Sequence, residues 1–309
     1  MTPTARQLIA ALALTALGAS AAGCSNTEST ADAATAQGVG VGGRAAADAV
    51  LTDPAAQKLV PSAVASRGTL TVVTDPTYAP MEYTDDKGAI VGFDADVADA
   101  VAHKLGLKVS FDKGDFNGII AGVQAGRYDA SWASFSVTPD REQKVDMVSY
   151  VKSGTSVLVR HGNPDNIAKV TDLCGRTVAA QTGNTAALTT LPGFQKTCAE
   201  AGLGKIDELI LPQQDNVNQA VSTGRADALL ADSALVAYYA QLQPDAFSQV
   251  DGIFVEPALL GAITKKGTGL APAIEAAVQS LIDDGTYAKI LTAWGLSAAA
   301  VDEAGVNQA

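Results

Sequence analysis

A chain of 309 residues, 47% apolar and 17% charged, can bury a packed core and is no candidate for wholesale disorder. Its length suits one large domain or two modest ones. A formal net charge of -12 argues against nucleic acid or anionic lipid as a partner held by charge, because phosphate repels such a surface.

Residues 1–23 have the layout of a signal peptide. Arg6 gives the positive start, Leu8 to Leu17 an apolar run, and Gly18 to Gly23 the small residues before a cleavage point. The run is shorter than the ~20 residues of a membrane-spanning helix. Ala21-Ala22-Gly23-Cys24 resembles a bacterial lipobox, with Ala21 where leucine is usual. That resemblance implies cleavage before Cys24 and acylation of its thiol; ordinary secretion with a stray cysteine is the plainer alternative. Residues 24–60 read as the acylated N-terminus and a flexible linker, since Ser25 to Gly43 is small, polar and glycine-rich. GVGVGG follows no strand, so it is not read as a phosphate loop. Ala45 to Arg67 reads as mostly helical, with Pro61 at a helix start.

The folded body begins with the β-branched strand Thr69 to Thr74. A helix follows over Asp94 to Leu105, capped by Asp94, with Val97, Val101 and Leu105 on one stripe. Leu107 to Phe111 is a strand, Phe116 to Ala125 a helix and Tyr128 to Trp132 a strand. The alternation resumes with strands at Arg176 to Ala180, Ile206 to Leu211 and Ala226 to Ala231. Helices at Asn184 to Leu191, Val217 to Thr223 and Ser233 to Leu242 lie between or after them, and two more occupy Ala271 to Ile282 and the stretch around Tyr287 to Trp294. This order predicts an α/β protein with a mostly parallel sheet covered on both faces.

Two apolar stretches, Thr155 to Val159 and Leu259 to Ile263, lie far apart in sequence. If each crosses between lobes, the chain leaves lobe 1, builds lobe 2 and returns. The expected division is 61–155 plus 259–309 for lobe 1 and 156–258 for lobe 2, joined by a two-segment hinge with a cleft between.

Of the three cysteines, acylation of Cys24 leaves Cys174 and Cys198 to pair in an oxidising compartment. There is no CxxC spacing, and the two histidines, His103 and His161, are read as ordinary structural residues. Asp99 stands one turn before His103, but two ligands fall short of a closed metal site, so neither metal nor other cofactor is expected.

Several segments carry a resemblance. They are TDPTYAPMEY (Thr74 to Tyr83), VGFDADVADAV (Val91 to Val101), DFNGIIAGVQAGRYDASWASFSVTPDR (Asp115 to Arg141), VAAQTGNTAAL (Val178 to Leu188) and GRADALLADSALV (Gly224 to Val236). With the ending DDGTYAKILTAWG (Asp283 to Gly295), the stretch from Gly68 to Gly295 resembles the polar-amino-acid solute-binding proteins of ABC importers, family 3. The resemblance implies the two-lobed periplasmic-binding-protein-like fold and capture of a free amino acid in the cleft. It also implies delivery to an ABC permease from the outer face of the cytoplasmic membrane, usually by a monomer.

The residues suit that role chemically. A zwitterion needs a cation for its carboxylate and an anion for its ammonium. Arg141 offers a planar two-pronged donor just past a strand end, the side of an open α/β sheet where ligands bind; a surface ion pair with Asp140, Glu142 or Asp146 is the alternative. The resemblance puts Ser134 and Ser136 on the ligand's amine and carboxylate. Asn184 and Thr185 open a helix whose N–H groups can hold an anion, though Asn184 also reads as a cap. Asp232 resembles the family's ammonium-binding aspartate and otherwise reads as an N-cap. By resemblance, Tyr78 and Phe116 stack on the ligand's carbon chain, and Asp75 meets a side-chain nitrogen. Asp75 favours glutamine, asparagine, lysine, arginine, ornithine or histidine and disfavours an acidic ligand. Competing readings are an exported dehydratase-like enzyme on the same scaffold and a ligand-sensing lipoprotein.

Overall fold

The computed structural model describes residue 40 and residues 42–309. The expected signal peptide, Cys24 and most of the tether lie outside the described residues.

Part of the expected linker is built into the fold. Helix α1 (Gly43–Asp48) packs on a later helix through the fully buried Ala47, and α2 (Pro54–Gln57) buries Ala56. Asp53 caps α2 by accepting from the Ala55 and Ala56 N–H groups. Alanines let these short helices approach closely, and Arg44 pairs with Asp99 to fasten the first. Residues 45–57 of the expected 24–60 linker thus carry the helical character read from Ala45 onward, and they pack on the body.

Helix α3 (Ser62–Arg67) starts after Pro61 and leads into β1 (Thr69–Thr74). A small antiparallel sheet then forms from β2 (Thr77–Tyr78), β3 (Glu82–Thr84) and β4 (Ile90–Val91). Helix α4 (Phe93–Lys104), β5 (Lys108–Lys113), α5 (Phe116–Gln124), β6 (Ala130–Ser136) and the short α6 (Pro139–Glu142) follow. The long strand β7 (Asp146–Arg160) crosses to the second lobe. There the chain builds β8 (Thr177–Gln181), α7 (Leu191–Glu200), β9 (Asp207–Leu211), α8 (Gln214–Ser222), β10 (Ala228–Asp232) and α9 (Ser233–Leu242). A second long strand, β11 (Phe247–Thr264), returns, and α10 (Leu270–Asp283), α11 (Thr286–Ala293) and β12 (Gly305–Val306) close the first lobe.

The main sheet runs β5-β1-β6-β11-β7-β10-β8-β9, with β12 on the free edge of β7. Its flanks are parallel, but β11 and β7 are antiparallel to each other and to β6 and β10, so the centre departs from the mostly parallel expectation. The reason is the double crossing: a chain that goes out on one strand and back on its neighbour must pair them antiparallel. The β11/β7 register breaks between Val250 and Phe254 and between Val255 and Ala258. Gly154 of β7 lies there, and a Cβ on it would stand 2.4 Å from the Val255 carbonyl oxygen.

Apolar clusters fill both faces. One joins Val73, Ile119, Phe135 and Met147 in lobe 1; a second joins Val157, Leu173, Phe194 and Cys198 in lobe 2. A third runs on continuously from Leu70 and Val101 to Leu229 and Leu235. Cys174 and Cys198 form the expected disulfide, with Cα atoms 5.6 Å apart. Met81 and Trp132 are buried in the core.

Three local expectations need correction. Asp94 does not cap its helix, because Gly92 holds the N-cap position and Asp94 is buried in the first turn. Asn184 to Leu191 contains a π-type turn over Ala186–Thr190. The helix α7 after it was not anticipated; Pro192 sits in its first turn, where a missing N–H costs nothing.

Candidate functional site

Eight of the nine predicted ligand-binding residues line one small cavity between the lobes: Tyr78, Phe116, Ser134, Ser136, Arg141, Asn184, Thr185 and Asp232. The ninth, Asp75, stands behind it. The cavity volume is about 10 Å³, room for about one water. The lobes are therefore in direct contact across it.

Arg141 owes its place to α6. Thr138 caps that helix, Pro139 supplies its first turn, and the helix directs Arg141 inward to 7% exposure. Its guanidinium donates to the Ser136 carbonyl at 2.8 Å and, across the cleft, to the Gly183 carbonyl at 3.0 Å. Phe116 and Phe135 stack with centroids 4.4 Å apart, and the guanidinium lies 5.8 and 5.2 Å from their ring centres. Burial lowers its pKa to about 10, with the Asp232 charge opposing the shift; the group stays cationic at neutral pH. Among the described residues it forms no ion pair with Asp140, Glu142 or Asp146, the surface alternative.

Lobe 2 supplies the facing groups. Asn184 Oδ1 accepts from the Ala187 N–H at 2.9 Å, so it does cap the turn that follows. Thr185 reaches lobe 1 with its hydroxyl 3.0 Å from that of Ser136. Gly183 has φ +83°, and a Cβ there would lie 2.9 Å from Asn117 Oδ1, so only glycine permits this approach of the lobes.

Asp232 opens α9 but makes no side-chain cap. Its Oδ2 accepts instead from the Tyr78 hydroxyl at 2.8 Å. Burial pushes its pKa up to about 6, against hydrogen bonds from Tyr78 and Ser153 and the pull of Arg141. Asp75 is 2% exposed and accepts from the Thr77 hydroxyl at 2.9 Å, the Phe116 N–H at 3.2 Å and the Gln181 amide at 2.8 Å. Burial raises its pKa too. Asp215, exposed on α8, rises to about 6 through partial desolvation and then the negative charge of Asp75.

Sequence reading missed Gln181, Thr155, Ala133 and Ala186 in the lining. Gln181 ends β8 and spans from lobe 2 to Asp75, a contact that local pattern does not announce. Among the described residues no cluster of three or more metal-ligating side chains occurs, and no helix is long and apolar enough to cross a membrane.

Residues 70–297 match the profile of bacterial extracellular solute-binding proteins, family 3, and the chain belongs to that family. It is 31% identical to the arginine-binding protein ArgT of Corynebacterium glutamicum, over 82% of this chain and 83% of that one. Among solved structures it resembles an ancestral arginine-binding protein bound to arginine, at 33% identity and a TM-score of 0.66, covering 74% of this chain and 98% of that one. The ancestral amino acid-binding protein AncCDT-1, described as a precursor of cyclohexadienyl dehydratase, is similar at the same identity and TM-score, over 77% of this chain and 99% of its own.

Proposed function

We propose that this chain is the extracytoplasmic binding component of an amino-acid ABC importer, and that its ligand is an L-α-amino acid with a cationic side chain, arginine foremost. The observation that carries this reading is the opposition of Arg141 and Asp232 on facing lobes of one cavity. They supply a buried cation for an α-carboxylate and a buried anion for an α-ammonium, as a zwitterion requires. Asp75 adds a buried carboxyl whose pKa is raised by burial without a compensating cation, so a guanidinium or ammonium would satisfy it. The arginine-binding relatives support the same choice.

An amino acid exceeds the present cavity, so binding has to part the lobes. The Tyr78 bond to Asp232 and the Arg141 bond to Gly183 are then exchanged for bonds to the ligand. Closure over the ligand makes contacts from both lobes at once, so the ligand adds to the stability of the closed form. The hinge is assigned to residues 151–160 and 247–260, where both crossing strands lie and their register breaks.

Cys24 is proposed to be acylated after removal of residues 1–23, tethering a monomer to the outer face of the cytoplasmic membrane beside its permease. Labelling with a palmitate analogue in the natural host, lost in Cys24→Ser, tests the anchor.

The ligand is tested by a thermal-shift screen of the soluble chain, unfolded and refolded to strip copurified solutes, against the twenty amino acids and ornithine. Ligand at a hundred times its Kd adds about 2.7 kcal/mol. A shift confined to basic amino acids supports the proposal; a shift with acidic or apolar ones alone overturns the side-chain choice. No shift, with turnover of a small carboxylate instead, would favour the dehydratase reading.

A further inference from the structure

Behind the cleft lies a pair of buried carboxyls that the ligand contacts above leave out. Glu82 on β3 sits opposite Tyr78 in the small sheet, and Asp94 is in the first turn of α4; each is 1% exposed. The two carboxyls lie close enough to interact. Asp94 Oδ2 also accepts from the Ser134 N–H at 2.9 Å and the Ser134 hydroxyl at 3.2 Å, and its Oδ1 from the Tyr150 hydroxyl at 2.8 Å. Glu82 Oε2 has no partner. Among the described residues neither carboxyl forms an ion pair with lysine, arginine or histidine.

Two buried carboxyls that face each other need a proton between them, and the donor count says which one holds it. A carboxylate accepts about four hydrogen bonds. Asp94 already receives three and has room for a fourth from Glu82, whereas Glu82 Oε2 meets no donor, tolerable only in a neutral group. The surrounding titratable groups are Tyr78 on the paired strand, Tyr150 from β7 and the negative Asp75 and Asp232 from the cleft, none of which would favour a second charge. In keeping with this, burial pushes Glu82 well above the usual carboxyl range, while Asp94, held by its donors, rises to about 6.

The consequence reaches the site through Ser134. Its φ of +51°, uncommon for a residue with a Cβ, turns both its N–H and its O–H toward Asp94. A serine has one hydroxyl proton, and here it points inward to Asp94 or to the Tyr150 oxygen. Only lone pairs remain toward the cavity. We infer that Glu82 is kept as a neutral carboxylic acid donating to Asp94, and that Asp94 in turn fixes Ser134 as a hydrogen-bond acceptor in the cleft, selecting a ligand ammonium over a carboxylate at that point. The second half rests on the amino-acid reading above; the first does not. Both acids are positioning residues.

Infrared spectra of the full chain at pH 8 test the proton directly. The wild type should show a carboxylic-acid carbonyl band that shifts with ¹³C-glutamate labelling and is missing in Glu82→Gln. Absence of a labelled band overturns the inference, whatever the ligand is. Calorimetry with arginine and with its des-amino analogue, 5-guanidinopentanoate, tests the polarity. Glu82→Gln, whose amide still donates to Asp94, should bind arginine within about threefold of wild type. Asp94→Asn should lose at least tenfold for arginine and less than about threefold for the des-amino compound. Equal losses for both would reduce Asp94 to scaffold and overturn the polarity assignment. Melting curves check folding, and Ser134→Ala, with the same expected discrimination, replaces Asp94→Asn if that variant does not fold. If the wild type binds no amino acid, the functional proposal falls while the infrared result still decides Glu82.

Discussion

Tyr78 joins the two lobes through both halves of one residue: its hydroxyl donates to Asp232 Oδ2 at 2.8 Å and accepts from the Asp232 N–H at 3.1 Å. The same oxygen thus holds the carboxylate proposed for the ligand's ammonium. Tyr78→Phe removes this clasp and little else. Small-angle scattering should show a larger radius of gyration for the free variant than for the free wild type, with the two alike once ligand is bound. Equal radii without ligand would mean that the clasp does not govern closure.

Arg141 is the cation proposed for the α-carboxylate. Charge-assisted hydrogen bonds contribute about 1.5–3 kcal/mol, so Arg141→Ala should weaken binding by at least about tenfold in titration calorimetry. Arg141→Lys keeps the charge but loses the fork that now spans the Ser136 and Gly183 carbonyls, and should recover only part of the loss. An unchanged affinity in the alanine variant would remove Arg141 from the site.

Asp232 gives the site a pH dependence. Its pKa of about 6, raised chiefly by burial, means that below pH 6 an incoming ammonium must displace a proton. Affinity should therefore fall as pH drops through 6, by up to about tenfold per unit, and Asp232→Asn should bind weakly with that dependence flattened. The stability of the free protein runs the other way. The folded pKa lies above the unfolded value of about 3.9, so this group's stabilising contribution is complete below about pH 4 and is lost as pH rises through 6. Asp232→Asn should accordingly stabilise the free protein at pH 7 by about 1–2 kcal/mol in urea unfolding.

Much of this was readable before any coordinates, and what escaped has physical causes. Strand and helix alternation located the sheet because buried β-branched runs such as Thr69 to Thr74 are unambiguous. Asp94 was misread because an aspartate at the start of an apolar helical stripe looks the same whether it caps or turns inward; the distinction lies in Ser134 and Tyr150, 40 and 56 residues away. Helix α7 was hidden by Pro192 and Gly193, which signal a stop except in a first turn. Arg141 and Asp232 stood out through motif and strand-end position, whereas Gln181 acts only through a partner 106 residues distant.

The Cys174–Cys198 bridge closes 24 residues of lobe 2 and ties α7 to the turn before β8. By chain entropy such a loop stabilises by about 3 kcal/mol. Reduction, or the Cys174→Ser/Cys198→Ser double variant, should lower the urea midpoint accordingly while leaving affinity within about twofold, because neither cysteine lines the cavity. A large loss of affinity would show that the bridge shapes the cleft as well as the core.

The antiparallel pairing of β7 with β11 fixes an order of assembly. Arg160 lies opposite Phe247, and the His161 N–H meets the Ala246 carbonyl, so residues 161–246 leave and rejoin the two crossing strands at one point. That stretch is continuous and can fold around its own neighbours. The lobe that carries Arg141 is interrupted: Met147 and Val148 wait for Ile263 and Ala262, and the far edge of β7 waits for Gly305 and Val306. Pairings so distant in sequence form slowly, since the loop must be closed before they gain anything. During synthesis the first-lobe part of β7 stays unpaired until β11 and β12 have emerged.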